Sequence, residues 1–378
     1  MKKPKETTSS GARERRPILV GRSSRKYPIA FATSATALVE LTCKVTSSAH
    51  ACVIVVDATV HALYPRLIKT LKTQLGKQTS VLTVPSGEKH KNGQRLLQAL
   101  GEIINMGVDR SSMIVAIGGG VTTDLAGCVS SLLLRGIRWV AVPTTFLGMV
   151  DAAIGGKTGI NTEQGKNLIG TFWPPEAVLV FDDFIRTQAR DDFSVSQAEA
   201  VKYFALRGTP ALKALRKLLA EFPNHNGTVA EKIIRQCAKI KAQIVTADER
   251  EHGQRAFLNF GHTIGHALEY CGGYRQLSHG RAVAAGMIGA LFLSKKDGMQ
   301  SSPSVAELED YCRTLASGKN IKLGDNTATD ALIFDKKRRG GKLIFVLLQE
   351  IGKPYLQPAP DKRALKRAVQ LSIQALNS

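Results

Sequence analysis

Three histidines gather in the C-terminal half of this 378-residue sequence: His262 and His266 in Gly261-His262-Thr263-Ile264-Gly265-His266, and His279 in Ser278-His279-Gly280. On a helix, His262 and His266 stand one turn apart and share a face. That is metal-ligand spacing, as in HExxH, although the glutamate of that motif is missing. His279 lies beyond the Gly272-Gly273 break and can fold back. A catalytic zinc takes three His/Asp/Glu ligands and leaves one position open. A metal site, histidines that handle protons without metal, and structural histidines all fit this spacing. The other five histidines (His50, His61, His90, His225, His252) lie in polar or mixed stretches and read as solvated.

Gly118-Gly119-Gly120 follows the apolar run Met113–Ile117, and Val121–Ser131 can form a helix with Asp124 in its first turns. Glycines let a ligand approach the backbone, and helix N-terminal N–H groups attract phosphate. The spacing is not GxGxxG. Asp57, the acid that could hold a ribose, precedes the glycines rather than following them by about 20 residues. A nucleotide site of non-standard order and a plain strand-to-helix turn both fit. Gly155-Gly156-Lys157-Thr158-Gly159 resembles part of a phosphate loop, but residue 151 is Asp where a Walker A motif needs Gly. With Lys166-Asn167 it offers cations and amides to a phosphorylated or polyhydroxy acid ligand. Lys202 shares a helical face with Glu199; the plain reading is a surface i,i+3 ion pair of about 0.2–0.5 kcal/mol.

These groups need a scaffold. The apolar runs 52–57, 81–84, 113–117, 139–142 and 178–181 read as buried strands, and 96–104 has helical spacing. Near-continuous apolar strands alternating with helices predict a parallel sheet in an α/β domain. After about residue 190 the period becomes helical, over 211–219, 229–244, 282–293 and 305–315, with one further strand-like run at 343–348. The boundary is placed there, giving a basic tail over 1–26, an α/β domain over 27–190 and a mostly helical domain over 191–378.

Hydrophobic residues make up 43% and charged residues 22%, which excludes a collagen, coiled-coil or largely disordered chain. No apolar stretch approaches the roughly 20 residues of a membrane helix, and no signal-peptide h-region stands at the N-terminus. The six cysteines form no CxxC pair, so a disulfide framework is not expected and a reducing cytoplasm fits. The formal charge is +21, and residues 1–30 hold nine Lys/Arg against Glu6 and Glu14 in a stretch that reads as a disordered tail. Such a balance favours anionic partners. A nucleic-acid binder would interleave aromatics with its basic runs, and aromatics are only 6% here, which argues against that class.

Several segments together resemble one family, 3-dehydroquinate synthase. They are Pro85-Ser86-Gly87-Glu88 with Lys91, GGGVTTDLAG over 118–127, Arg135-Gly136, Pro143-Thr144-Thr145, and VDAAIGGKTGINTEQGKNL over 150–168. Further along come Ala198-Glu199 with Lys202-Tyr203, KAQIVTADEREHGQRAFLNFGHTIGHA over 241–267, His279-Gly280, and Asp335-Lys336-Lys337 with Val346-Leu347-Leu348. They occur in family order from about residue 50 to 352, and the two long blocks are highly specific.

The resemblance implies a Rossmann-like N-terminal domain that binds NAD and a helical C-terminal domain that binds a divalent metal, zinc or cobalt in its place. The implied enzyme is a carbon–oxygen lyase. It converts 3-deoxy-arabino-heptulosonate 7-phosphate to 3-dehydroquinate and phosphate: C5 is oxidised, phosphate is eliminated, C5 is reduced, and the ring opens and recloses by an aldol step. The family pattern puts Glu199, His262 and His279 on the metal. It gives Lys157, Lys202, Lys241, Arg255 and Lys336 or Lys337 to the anionic substrate, with Asn167 and Asn259 as amide partners and His266 as a proton-handling or phosphate-adjacent group. Arg135 serves a neighbouring subunit's site, since the family is dimeric. The NAD set implied is Asp57, Glu88, Lys91, Gly118, Gly119, Gly120, Asp124, Thr144, Thr145, Asp151, Lys166 and Thr187.

The chain departs from the pattern at four positions. Arg281 follows His279-Gly280 where Glu is usual, an exchange expected to weaken metal binding or to reshape the surroundings of the ligands, and Arg281→Glu is expected to raise metal affinity. Thr123 stands where Gly is usual before Asp124, and Ser196 and Phe204 replace small residues around Glu199. The alternatives are another sugar phosphate cyclase, such as a 2-deoxy-scyllo-inosose or valiolone synthase, and a metal-dependent polyol dehydrogenase that would release NADH.

Overall fold

The computed structural model describes residues 16–21, 26–76, 78–208, 210, 213–215, 227–251, 253–273, 276–318, 321, 323, 327–332 and 343–378. Most of the 1–26 tail and Lys336 and Lys337 lie outside the described residues.

The strands are β1 (Ile18–Val20), β2 (Tyr27–Phe31), β3 (Ala51–Asp57), β4 (Gln78–Val84), β5 (Met113–Gly118), β6 (Arg138–Pro143), β7 (Lys157–Thr162), β8 (Gly165–Phe172), β9 (Ala177–Val180), β10 (Ile344–Glu350) and β11 (Lys353–Pro358). The helices are α1 (Ala35–Thr46), α2 (Ala58–Leu63), α3 (Pro65–Leu75), α4 (Gly93–Asn105), α5 (Gly120–Leu132), α6 (Arg190–Arg207), α7 (Gly227–Ala247), α8 (His262–Cys271), α9 (His279–Lys296), α10 (Pro303–Ala316) and α11 (Lys362–Leu376).

Two compact units result. One comprises the described part of Met1–Thr144 with Gly155–Asn161 and Ile169–Phe181; the other comprises Thr145–Ile154, Thr162–Leu168 and the described part of Asp182–Ser378. The division is therefore not a single cut near residue 190, because two short segments before it belong to the helical unit.

The first unit is built on a seven-stranded sheet in the order β1-β2-β9-β6-β5-β3-β4. All its pairings are parallel except β1 with β2. The runs Ala51–Asp57 and Met113–Gly118 are buried throughout, as a sheet covered on both faces requires. Within the stretch expected to be tail, Ile18 to Val20 pair with Ile29 to Tyr27 as an antiparallel edge. From β3 the chain crosses to β4 on one side, and β5 returns to the other side of β3 before the path continues to β6. The C-terminal ends of β3 and β5 thus form a topological switch point, the place where open α/β sheets bind ligands.

The glycines at 155–159 open a hairpin, β7–β8, rather than a phosphate loop. Gly155 and Gly156 take φ of 105° and 65°. A Cβ on Gly170 would stand 2.1 Å from the Thr158 carbonyl oxygen, so the glycines serve close strand packing.

The second unit centres on α9, which is buried from Gly280 to Leu291 without a break. A helix apolar all round is a core helix. Its glycines bring its neighbours unusually close: a Cβ on Gly286 would lie 2.0 Å from the Gly261 carbonyl oxygen beside α8, and one on Gly280 would lie 2.0 Å from the Val195 carbonyl oxygen of α6.

Candidate active site

Those two close approaches converge on one carboxylate. Glu199, midway along α6, is fully buried. Its Oε1 lies 3.4 Å from His262 Nε2 at the start of α8 and 3.5 Å from His279 Nε2 at the start of α9. The ligand atoms of these three residues lie within 4.8 Å of one another. Neither Glu199 oxygen makes a well-formed hydrogen bond, although Lys202 Nζ stands against Oε2. Lys202 supplies a cation on the Oε2 side, and Oε1, facing the two imidazoles, is the side open to a further one. Two imidazoles aimed at it complete a three-ligand His/His/Glu set, which suits a divalent metal with an open position. Burial would raise the Glu199 carboxyl, but Lys202 and then His262 override it and hold it well below the usual carboxylate range. Burial and Lys202 lower His262, which keeps its ring neutral. The Glu199–Lys202 pair is therefore no surface ion pair: both side chains are essentially sealed from solvent.

His266 is exposed beside this cluster, its ring centroid 5.4 Å from that of His262 and 6.1 Å from that of His279.

A second buried ion pair lies in the same unit. Lys241 Nζ, on α7, stands 2.5 Å from Asp151 Oδ1 and donates also to the Asp151 carbonyl. Tyr203, on α6, donates its hydroxyl to the same carboxylate. Burial would raise Asp151, but Lys241 holds it at about 2. Burial lowers Lys241 against the opposing pull of Asp151. Arg255 is buried, its backbone N–H bonded to Asp248 Oδ2 at 3.0 Å and its guanidinium to the Glu249 carbonyl. Asn259 donates to Glu251 Oε1 at 2.7 Å.

At the switch point of the first unit, Gly119 caps α5 without a side-chain bond, leaving the first-turn amides to a ligand. A Cβ on Gly118 would strike the Thr122 side chain at 2.5 Å. Lys91 Nζ pairs with Asp124 Oδ2 at 2.5 Å. Glu88 Oε1 accepts from Asn161 Nδ2 at 2.7 Å, and Thr144 N–H donates to the Gly118 carbonyl. Asp57 uses Oδ1 to cap α2, accepting from Thr59 N–H at 2.8 Å and from the Ser86 hydroxyl at 2.7 Å. Asp57, Glu88, Lys91, Gly118, Gly119, Gly120, Asp124 and Thr144 thus belong to the first unit, as do Lys157 and Arg135, both exposed. Thr145, Asp151, Lys166 and Thr187 belong to the second. Lys166 Nζ bonds Glu269 Oε1 at 2.7 Å, and Asn167 is exposed in a left-handed conformation, φ 55°.

The unusual residues are accommodated. Thr123 returns its hydroxyl to the Gly120 carbonyl, Ser196 bonds the Phe193 carbonyl at 2.7 Å, and Phe204 is core. Arg281 is engaged elsewhere, donating to Asp191 Oδ1 at 2.6 Å and to the Ser317 carbonyl. Two residues along a helix is a turn of about 200°, so the residue after His279-Gly280 faces the far side.

The sequence reading passed over Glu269, Glu251 and Asp248. Glu269 had a signal: it continues the His262–His266 face at i+7.

A parallel-sheet unit with a glycine turn at its switch point, followed by a helical unit, is a fold shared with solved sugar phosphate cyclases. A crystal structure of 2-deoxy-scyllo-inosose synthase complexed with carbaglucose-6-phosphate, NAD+ and Co2+ superposes with a TM-score of 0.81 at 23% identity, covering 94% of this chain and 99% of that one. A 2-epi-5-epi-valiolone synthase from Streptomyces hygroscopicus subsp. jinggangensis 5008, with NAD+ and Zn2+ bound, also reaches 0.81 at 23% identity, covering 94% and 98%. These likenesses establish the fold. The family models for the 3-dehydroquinate synthase N-terminal and C-terminal domains match residues 81–195 and 196–338. A 3-dehydroquinate synthase of Geotalea uraniireducens (strain Rf4) is 35% identical over 357 residues, 93% of this chain and 98% of that protein. The chain belongs to the 3-dehydroquinate synthase family, which makes it a phosphate-eliminating carbon–oxygen lyase.

Proposed function

We propose that this chain converts 3-deoxy-arabino-heptulosonate 7-phosphate to 3-dehydroquinate and phosphate, with NAD held at the β3/β5 switch point and one divalent metal, zinc or cobalt, held by Glu199, His262 and His279. The observation that carries the metal assignment is the buried Glu199 carboxylate, ion-paired with Lys202 through Oε2 while its Oε1 faces two imidazole Nε2 atoms. When bound, the metal would supply Lewis acidity toward a substrate hydroxyl and NAD would supply a reversible hydride acceptor. The chain's own residues do the rest. Lys202, Lys241 and Arg255 of the helical unit neutralise the carboxylate and phosphate of the sugar acid, with Asn167 and Asn259 as amide donors. His266, exposed beside the metal cluster, moves a proton. Asp151 balances Lys241, so that cation is positioned before substrate arrives. The α5 amides and the Gly118–Gly120 turn receive the pyrophosphate, and Asp57 takes the ribose through Oδ2.

The enzyme works as a homodimer in the cytoplasm. Arg135 supports the first point: it is exposed on a left-handed turn, φ 52°, 69° and 113° at Leu134, Arg135 and Gly136, beside exposed Leu132 and Leu134. That geometry suits a side chain offered to another subunit. All six cysteines are free thiols, and among the described residues no helix is long and apolar enough to cross a membrane.

The test is incubation with the heptulosonate phosphate, catalytic NAD and zinc, following inorganic phosphate and the cyclic product. Stoichiometric phosphate with no net NADH is expected. Net NADH without phosphate would instead mark a polyol dehydrogenase. Glu199→Ala, His262→Ala and His279→Ala each lose bound metal and turnover together; turnover in a metal-free His262→Ala protein would remove the ligand assignment.

A further inference from the structure

His279 presents two ring nitrogens to two buried carboxylates. Nε2 faces Glu199 at 3.5 Å, and Nδ1 lies 3.3 Å from Oε2 of Glu269, a residue of α8 with no solvent exposure. The other oxygen of Glu269 accepts from Lys166 Nζ at 2.7 Å. His262 is arranged in parallel: its Nε2 faces Glu199 and its Nδ1 lies 3.2 Å from the Phe260 carbonyl. Both imidazoles therefore aim Nε2 into the cluster and have an acceptor on Nδ1. For His262 the acceptor is a neutral carbonyl two residues away. For His279 it is a carboxylate brought by another helix.

We propose that Glu269 is the positioning residue of the metal site, fixing the orientation and tautomer of His279 by accepting its Nδ1–H, with Lys166 holding the carboxylate in place from its other oxygen. The inference rests on the reading of Glu199, His262 and His279 as metal ligands. A neutral imidazole binds a cation through the nitrogen that lacks the proton. An acceptor on Nδ1 puts the proton there and leaves the Nε2 lone pair aimed at the cluster. A carboxylate in this role also raises the basicity of the ligand nitrogen, and losing such a partner costs about 10–100-fold in metal affinity. Glu269 is not needed as a ligand itself. His266, Glu269 and His279 could surround a second cation, but the Lys166 ammonium already occupies one Glu269 oxygen.

The test compares the full-length parent with Glu269→Gln and His262→Ala. Zinc and cobalt affinity are measured by chelator competition, the cobalt site by its visible absorption spectrum, and the metal-stripped proteins by thermal melting. Glu269→Gln is expected to bind one metal per chain about 10–100-fold more weakly, with a shifted cobalt spectrum and a melting temperature of the stripped protein close to the parent's. A merely structural glutamate would change the melting and not the spectrum. Affinity within threefold of the parent and an unchanged cobalt spectrum, while His262→Ala loses metal, would overturn the role of Glu269 and leave the ligand assignment standing. A parent that binds two metals, one of them lost in Glu269→Gln, would make Glu269 a ligand and overturn the proposal. A parent that binds none, or His262→Ala binding as the parent does, would remove the metal reading itself. Should Glu269→Gln fail to fold, histidine-selective 15N spectra of the zinc-loaded parent decide: an Nδ1–H tautomer with metal on Nε2 at His279 is expected, and metal on Nδ1 would overturn the proposal.

Discussion

Arg281 sits two residues from a metal-ligand candidate, yet it braces three helices. From α9 its guanidinium reaches Asp191 in the first turn of α6 and the Ser317 carbonyl that ends α10, while its Nε stays buried and unbonded. Replacing it removes charge-assisted bonds and leaves the Ser317 carbonyl without this donor. Arg281→Ala is expected to destabilise by about 1–3 kcal/mol, read by denaturant unfolding, with metal affinity changed less than threefold. Arg281→Glu, which would face Asp191, should be worse still; a stable Arg281→Glu protein with tighter metal binding would restore the opposite expectation. His279 supplies a second prediction. Burial would lower its ring, but Glu269 and Glu199 raise it to about 10 in the metal-free protein. A group whose folded pKa is raised stabilises the fold fully below its unfolded pKa, near 6.5, and loses that contribution as pH climbs toward 10. Metal and proton compete for this ring, so metal binding strengthens as pH rises. The melting temperature of the chelated protein is therefore expected to fall from pH 6.5 to 9, while the gain on adding zinc grows over the same range. A zinc-induced shift independent of pH would exclude a protonated His279.

Helices α6, α8 and α9 converge because glycine lets their backbones touch, and this can be tested by sign. In Gly286→Ala the new Cβ meets the Gly261 carbonyl oxygen at 2.0 Å, backbone that cannot rotate away. The variant is expected to lose about 1–3 kcal/mol and bind metal more weakly, because α8 must shift with His262. Gly101→Ala, in the exposed middle of α4 with nothing within 4 Å, should gain about 0.5–1 kcal/mol. Paired unfolding curves that moved in the same direction would contradict the packing argument. The same glycines show how far the sequence could be read. Continuous β-branched runs such as Cys52-Val53-Ile54-Val55-Val56 declare a buried parallel strand, and β3, β5, β6 and β9 were legible on that ground. The hairpin β7–β8 was not, because its glycines satisfy strand contacts that lie far off in sequence and look locally like a loop. β1, three residues beside a basic stretch, has too short a pattern to register. The three metal-ligand candidates were named through family resemblance and, for the histidines, helical spacing. Glu269 sat on that very face and went unread, since its partners Lys166 and His279 are brought to it only by tertiary packing.

At the scale of the whole molecule, the division of labour follows the division into units. Glu199, His262, His279, Glu269 and Lys166 all belong to the helical unit, whereas the switch point of the sheet belongs to the other. Removing the metal should therefore loosen a defined set of elements. Without the metal, the buried Glu199 carboxylate is balanced, among the described residues, by Lys202 and the two histidines, and local opening becomes easier where burial of charge is least compensated. Amide hydrogen exchange of the chelated protein, compared with the zinc-loaded one, is expected to quicken in α6, α8 and the first turns of α9. The amides of β3, β5 and β6 should keep their protection, since their stability comes from apolar burial on both faces. Exchange that rose equally in the sheet strands would mean that the metal stabilises the chain as a single cooperative body, and a ligand set confined to one unit could not then account for it.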